Sequence, residues 1–142
     1  MKIYVASSWR NLIQQDVVRC LRFAGHDVYD YREPAKGVSG FSWSEIDPEW
    51  KSWTPSQYRK ALAHPVAARG FRYDIEALRA CDACVLVLPS GRSASWEFGY
   101  AMGQGKRGVV FMLDACEPEL MYREAEICTS WDDLLDEFGG RP

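Results

Sequence analysis

ACVLVLPSGRSASWEFGYAMGQG, residues 83–105, decides the reading of the fold. Ala83 to Leu88 is an unbroken apolar run, the mark of a strand buried on both faces. Pro89 ends it, and Ser90, Gly91 and Ser93 are turn and N-cap types. Ala94 to Gln104 then follows a helical pattern that Gly103 and Gly105 stop. Ligands of open α/β sheets gather at the carboxyl ends of strands, where this turn lies. Glu97 falls in about the first turn of the helix, where unpaired N–H groups favour an anion by roughly 0.3–1 kcal/mol. It is expected to stay ionised, as a nucleophile or electrostatic stabiliser must. A solvated glutamate that only stabilises the helix has the same sequence signature.

On either side of this stretch, strands and helices alternate. Ile3 to Ala6 reads as the first strand, and Ser7-Ser8-Trp9-Arg10 as a turn with capping hydroxyls. Ile13, Val17, Cys20, Leu21 and Ala24 recur at helical spacing, with Asn11, Gln14, Gln15, Asp16, Arg19 and Arg22 on the wet face and Gly25 as the stop. His26 to Tyr31 is the second strand. Ser56 to Ala63 and Val66 to Ala80 read as helices, 83–88 as the third strand, and Gly108 to Leu113 as the fourth. Glu117 to Ala125 holds a short helix, a short fifth strand forms around Ile127, and Ser130 caps a last helix. Residues 33–56 are irregular, punctuated by Pro34, Gly37, Gly40, Pro48 and Pro55, with Phe41, Trp43, Trp50 and Trp53 interleaved. So long an irregular segment is usually functional or mobile. Its aromatics suit stacking on a flat ring and equally suit pinning the loop to the body.

Alternation of this kind implies a parallel sheet with helices on both faces. Right-handed crossovers leave few topologies. The expectation is a flavodoxin-like (Rossmann-like) three-layer α/β sandwich with strand order 2-1-3-4-5, a single domain over residues 1–142. The switch point then lies between strands one and three, so Ser7 to Arg10 and Ser90 to Ser93 face each other.

Composition narrows the function classes. The chain is 47% hydrophobic and 13% aromatic, which argues against disorder, and its net charge of −3 argues against a nucleic-acid footprint. No apolar run approaches the roughly 18 residues of a membrane helix, and no signal peptide is expected before the first strand. Five cysteines without framework spacing suggest a reducing cytoplasm. Cys81-Asp82-Ala83-Cys84 runs from a helix end into a strand, not onto a helix N-terminus where a redox thiolate is stabilised. No second pair suggests zinc, so this C-x-x-C reads as structural. No repeat, low-complexity tract or linker stands out.

The two facing loops bring together Ser7, Ser8, Trp9 and Arg10 with Ser90, Gly91, Arg92 and Ser93, a set of hydroxyls, helix N–H groups and arginines suited to a phosphate. Asp74 is a second carboxylate. Phe71, Ile75 and Leu78 form the apolar face of its helix, and Asp74 flanks that face. A carboxylate there is costly unless it is paired or opens on a cavity. One carboxylate that attacks and one that handles protons are what glycosidic-bond cleavage uses.

Four segments carry a family resemblance: Ile3 to Arg10; Tyr73 to Leu78; Trp96 to Ala101 through Gln104-Gly105-Lys106; and Glu119-Leu120-Met121. Over residues 3 to about 122 the chain resembles the nucleoside 2-deoxyribosyltransferases and their relatives, the 2′-deoxynucleoside 5′-monophosphate N-glycosidases. The Glu97 segment is the most specific of the four. The resemblance implies that Glu97 attacks the anomeric carbon, that Asp74 deals with the proton on the leaving base, and that Tyr4 lies near the sugar. It implies that Ser8 and Arg10 help bind a 5′-phosphate, as in the monophosphate branch. It further implies that a neighbouring subunit closes the site with residues around Glu119 and Met121, hence at least a homodimer.

The sequence departs from this pattern at three places. Transferases carry an aspartate six residues before the nucleophile, where this chain has Gly91. The neighbour-subunit position, usually asparagine or serine, is Glu119. The aromatic loop at 41–53, which includes Trp43, is longer than in the monophosphate branch and is expected to set which base fits. Ser90 and Trp96 also resemble a segment of Toll/interleukin-1 receptor domains, some of which cleave NAD. In those domains the glutamate lies three or more residues beyond the tryptophan, whereas here it follows at once. A transferase that moves deoxyribose between bases and a nucleotide sensor without turnover are the remaining alternatives, though binding a phosphate needs neither carboxylate. The leading expectation is a cytoplasmic N-glycosidase of nucleoside 5′-monophosphates, with no metal or cofactor and no nucleic-acid or membrane partner.

Overall fold

The computed structural model describes residues 1–139; the last three residues of the expected 1–142 domain lie outside the described residues. Five strands form one sheet: β1 (Lys2–Ala6), β2 (Asp27–Asp30), β3 (Ala83–Val87), β4 (Arg107–Phe111) and β5 (Glu126–Cys128). Their order is β2-β1-β3-β4-β5 and every pairing is parallel, as the sequence predicts. The helices are α1 (Gln14–Phe23), α2 (Pro55–Ala61), α3 (Pro65–Ala80), α4 (Arg92–Gly103) and α5 (Trp131–Glu137), with 3₁₀ turns at Trp43–Glu45, Trp50–Ser52 and Leu120–Glu124. Contacts among the described residues cluster into two compact units, one of residues 1–30 and 78 onward, the other of residues 31–77.

In the first unit the register sorts the strand residues by face. Ile3, Val5, Val28, Ala83, Val85, Val87, Val109, Phe111 and Cys128 share one core with Val17, Val18 and Leu21 of α1 and Leu134 and Phe138, from α5 and its end. The opposite face carries Tyr4, Cys84 and Gly108, aligned across β1, β3 and β4. There α4 comes so close that a Cβ at Gly108 would overlap Met102 Sδ and lie 2.9 Å from Phe98 Cζ. A side chain there would force Met102 and Phe98 to shift. Ala94, Phe98 and Ala101 form the buried stripe of α4. The α4 helix is held at its far end too: Lys106, just beyond it, donates from Nζ to the Arg79 carbonyl at 3.0 Å.

The second unit holds the aromatic loop and α2. Thr54 and Gln57 form a capping box and Pro55 is the first helical residue, so a proline that reads as loop punctuation in fact starts a helix. The loop is less irregular than its sequence suggests, because two 3₁₀ turns and a bridge between Ala35 and Val38 order it. Phe71, expected on the apolar face of α3, is 60% exposed, while Ile75 is buried. Cys81 and Cys84 are buried free thiols. Among the described residues no helix is long and apolar enough to cross a membrane.

Candidate active site

The turn after β1 and the turn after β3 are bonded to each other. The Ser7 hydroxyl donates to the Val87 carbonyl at 2.8 Å in a buried position. Asn11 does more. Its Nδ2 donates to the Pro89 carbonyl at 3.0 Å and, more weakly, to Val87 at 3.4 Å. Its Oδ1 accepts the N–H groups of Ile13 and Gln14, each at 2.9 Å, and so caps the start of α1. Asn11 is 5% exposed and Gln14 fully buried, which overturns their expected place on the wet face of the helix. Each pairs with buried polar groups, so burial costs them little. Gln14 and Gln15 donate to the two oxygens of Asp30 at 3.1 and 2.7 Å, at the carboxyl end of β2. Asp30 is itself 4% exposed. Asn11 and Asp30 are the site-region residues that sequence reasoning missed. The only signal for Asn11 was an amide just ahead of a helix start.

The phosphate-type residues sit around this junction. Ser8 accepts the Arg10 backbone N–H at 3.2 Å, which closes the first turn and leaves the Arg10 guanidinium on the exposed side. Trp9 is 53% exposed. In the second turn Gly91 is the N-cap of α4, with φ −95° and no side-chain cap bond; Arg92 and Ser93 open the helix and are exposed.

Because α4 begins at Arg92, Glu97 is its sixth residue and lies in the second turn, one turn later than the sequence suggests. The helix-end field falls off within the first turn. A side-chain contact acts at Glu97 instead: the Ser93 hydroxyl, one turn earlier, donates to Glu97 Oε1 at 3.1 Å. Glu97 is three residues after Ala94 and four before Ala101, so it shares the sheet-facing stripe of α4 and is half-buried. Its charge is felt in the sheet. Burial pushes the Cys84 thiol well above the ordinary thiol range, and the neighbouring Cys81 and Glu97 charges push it further. Cys84 is therefore neutral within the sheet.

Tyr4 is its neighbour on the same face of the sheet. It is fully buried, in register with Cys84, and stacked on Tyr29 with ring centroids 5.0 Å apart. Asp74 is half-buried on α3, in the second unit. Trp43, also in that unit, belongs to a cluster of aromatic rings. Glu119 and Met121 flank and open the 3₁₀ turn at 120–124, and Met121 is 73% exposed beside Leu120 at 83%. Among the described residues no group of three or more histidines, cysteines or acids is placed to hold a metal.

No family model matches the sequence, and no curated protein sequence matches it. Solved structures do. The 2-deoxyribosyltransferase of Bacillus psychrosaccharolyticus is similar over 94% of this chain and 90% of its own, with a TM-score of 0.65 and 23% identity. The CMP N-glycosidase BcmB of Clostridium botulinum is similar over 98% and 99%, with a TM-score of 0.54 and 13% identity. A conserved protein of Enterococcus faecalis V583 is similar over 100% and 99%, with a TM-score of 0.60 and 16% identity. At these identities the likeness establishes the fold.

Proposed function

We propose that the protein is an N-glycosidase that cleaves the base–sugar bond of a nucleoside 5′-monophosphate through a glycosyl ester on Glu97. One placement supports this most: a half-buried carboxylate on the sheet-facing stripe of α4, aligned by Ser93, beside the bonded turns that follow β1 and β3. A carboxylate on a packing stripe costs stability unless it is hydrogen-bonded, and a solvated helix glutamate would occupy the outer face instead. Similarity in fold to a 2-deoxyribosyltransferase and to a CMP N-glycosidase adds to it.

In this reading Glu97 attacks the anomeric carbon as the C–N bond breaks. The bonding pair leaves with the base, which takes up a proton, the role assigned to Asp74. Water then attacks the ester, frees the sugar phosphate and restores Glu97. Arg10, Ser8 and the Ser90 to Ser93 turn hold the 5′-phosphate, with Ser7 and Asn11 fixing the two turns and Tyr4 flooring the sugar site. Glu119 and Met121 of a second copy complete the site, which makes the working form a homodimer.

The likeness to a transferase favours a second reading, in which another base takes the place of water. Gly91 stands where the resembling transferases carry an aspartate, so the first reading is preferred. Chromatography of free base, after incubation with nucleosides, their monophosphates and NAD, tests both. Release from monophosphates alone is expected. Base exchange without net release supports the transferase, and release of nicotinamide alone overturns both.

A further inference from the structure

Trp43 stands at the centre of a ring cluster in the second unit. Phe41, Trp53 and Tyr58 meet it edge to face, at centroid distances of 4.7, 5.7 and 5.7 Å and interplanar angles of 87°, 77° and 73°. Trp43, Trp50, Trp53 and Tyr58 line a pocket of about 230 Å³. That is below the roughly 300–1,000 Å³ of sites for drug-sized ligands. A flat ring is held best by offset parallel stacking. Rings near right angles offer a compact group faces on more than one side of a half-open pocket.

Carboxylates and cations both flank these rings. Glu45 pairs with Arg69 at 3.7 Å, Asp47 and Glu49 follow it, and Lys51, Arg59 and Lys60 lie along the same stretch. The Trp53 indole N–H donates to Asp47 Oδ2 at 2.6 Å, and the Glu49 N–H donates to Oδ1 at 2.9 Å. Those two bonds, the indole first, hold the Asp47 carboxyl below its ordinary range, so it is ionised at neutral pH. A carboxylate that accepts an indole N–H makes the ring face more electron-rich. The chain already places a cation on one wall: Lys51 Nζ lies 5.7 Å from the Trp50 ring centroid, within the range of cation–π attraction.

We propose that the Trp43–Trp50–Trp53–Tyr58 pocket binds a small methylated ammonium group. The proposal does not depend on the glycosidic reading, since every residue in it belongs to residues 31–77. It gives Trp43 a compact cation in place of the flat base that the sequence suggests.

Tryptophan fluorescence titration of the full chain tests it, with tetramethylammonium, choline and N-trimethyl-lysine as probes. The neutral choline isostere 3,3-dimethylbutanol and free cytosine and adenine are the controls. Saturable binding of the cations is expected, with the neutral isostere about tenfold weaker or worse. Trp50→Ala should abolish binding. Preference between choline and trimethyl-lysine identifies the source of the group, and either supports the site. If Trp50→Ala misfolds, biosynthetic replacement of tryptophan by mono- and then difluorinated analogues should weaken binding stepwise. Equal binding of the isostere, tighter binding of a nucleobase, no saturable binding, or affinity indifferent to fluorination overturns the proposal.

Discussion

The bonded turns after β1 and β3 and the aromatic loop at 41–58 fix irregular backbone by different means. In the turns, buried side-chain donors from Ser7 and Asn11 reach the carbonyls of Val87 and Pro89. In the loop, ring edges pack on ring faces around Trp43. Hydrogen bonds are short and directional and hold their partners to a fraction of an ångström. Edge-to-face rings are worth about 0.5–1.5 kcal/mol a pair over a range of centroid distances. Glu97, the proposed nucleophile, stands beside the first kind of region. The pocket lies in the second, where an adaptable wall suits a binding site.

The largest effect expected from this contrast is at Asn11. Asn11→Ala removes a helix cap and leaves buried carbonyls short of a donor, a loss of about 2–3 kcal/mol in a urea titration. Asn11→Asp keeps the cap acceptor but sets a carboxylate against the Val87 and Pro89 carbonyls, so it should cost nearly as much. A near-neutral Asn11→Asp would mean that the cap alone matters. Next comes Arg10. Loss of a charge-assisted bond to phosphate is worth about 1.5–3 kcal/mol. Arg10→Ala should therefore weaken kcat/KM for monophosphates by about 10- to 100-fold, while nucleosides are affected far less. Equal effects on both would remove the phosphate role.

Acid should separate the two regions further. Because the folded Asp47 carboxyl is held below its ordinary value, its stabilising contribution is complete above about pH 3.9 and is lost as pH falls through the folded pKa. Tryptophan emission should change in that window in the wild type and not in Asp47→Asn. The smallest effect is at Gly91, where an added Cβ would meet nothing within 4 Å and φ is −95°. Gly91→Asp should fit and add a few tenths of a kcal/mol as a better N-cap, visible as a slight rise in Tm. Base exchange gained by that variant would show that Gly91 sets the choice of acceptor.

The sheet was legible because its signal is local. The run from Ala83 to Leu88 reads as a buried strand without knowledge of its neighbours, and alternation and handedness leave few orders for the five strands. Glu97 was legible as a residue but not as a position, since Arg92 and Ser93 have no apolar periodicity to show that the helix has begun. Asn11 and Gln14 were misplaced because a polar residue looks solvated in sequence. Their burial depends on partners at Val87, Pro89 and Asp30, as many as 78 residues away along the chain. Phe71 failed in the opposite sense, as an apolar residue that the fold leaves exposed. The pocket was illegible, because interleaved tryptophans do not state the angles between their rings.

The central claim is that Glu97 forms a bond with the sugar. The most direct test is free-base release from a nucleoside 5′-monophosphate by the wild type and by Glu97→Ala, with circular dichroism to show that both are folded. Turnover by the wild type and a loss of about three or more orders of magnitude in the variant are expected, as for removal of a nucleophile. Release by the folded variant at the wild-type rate would contradict the account.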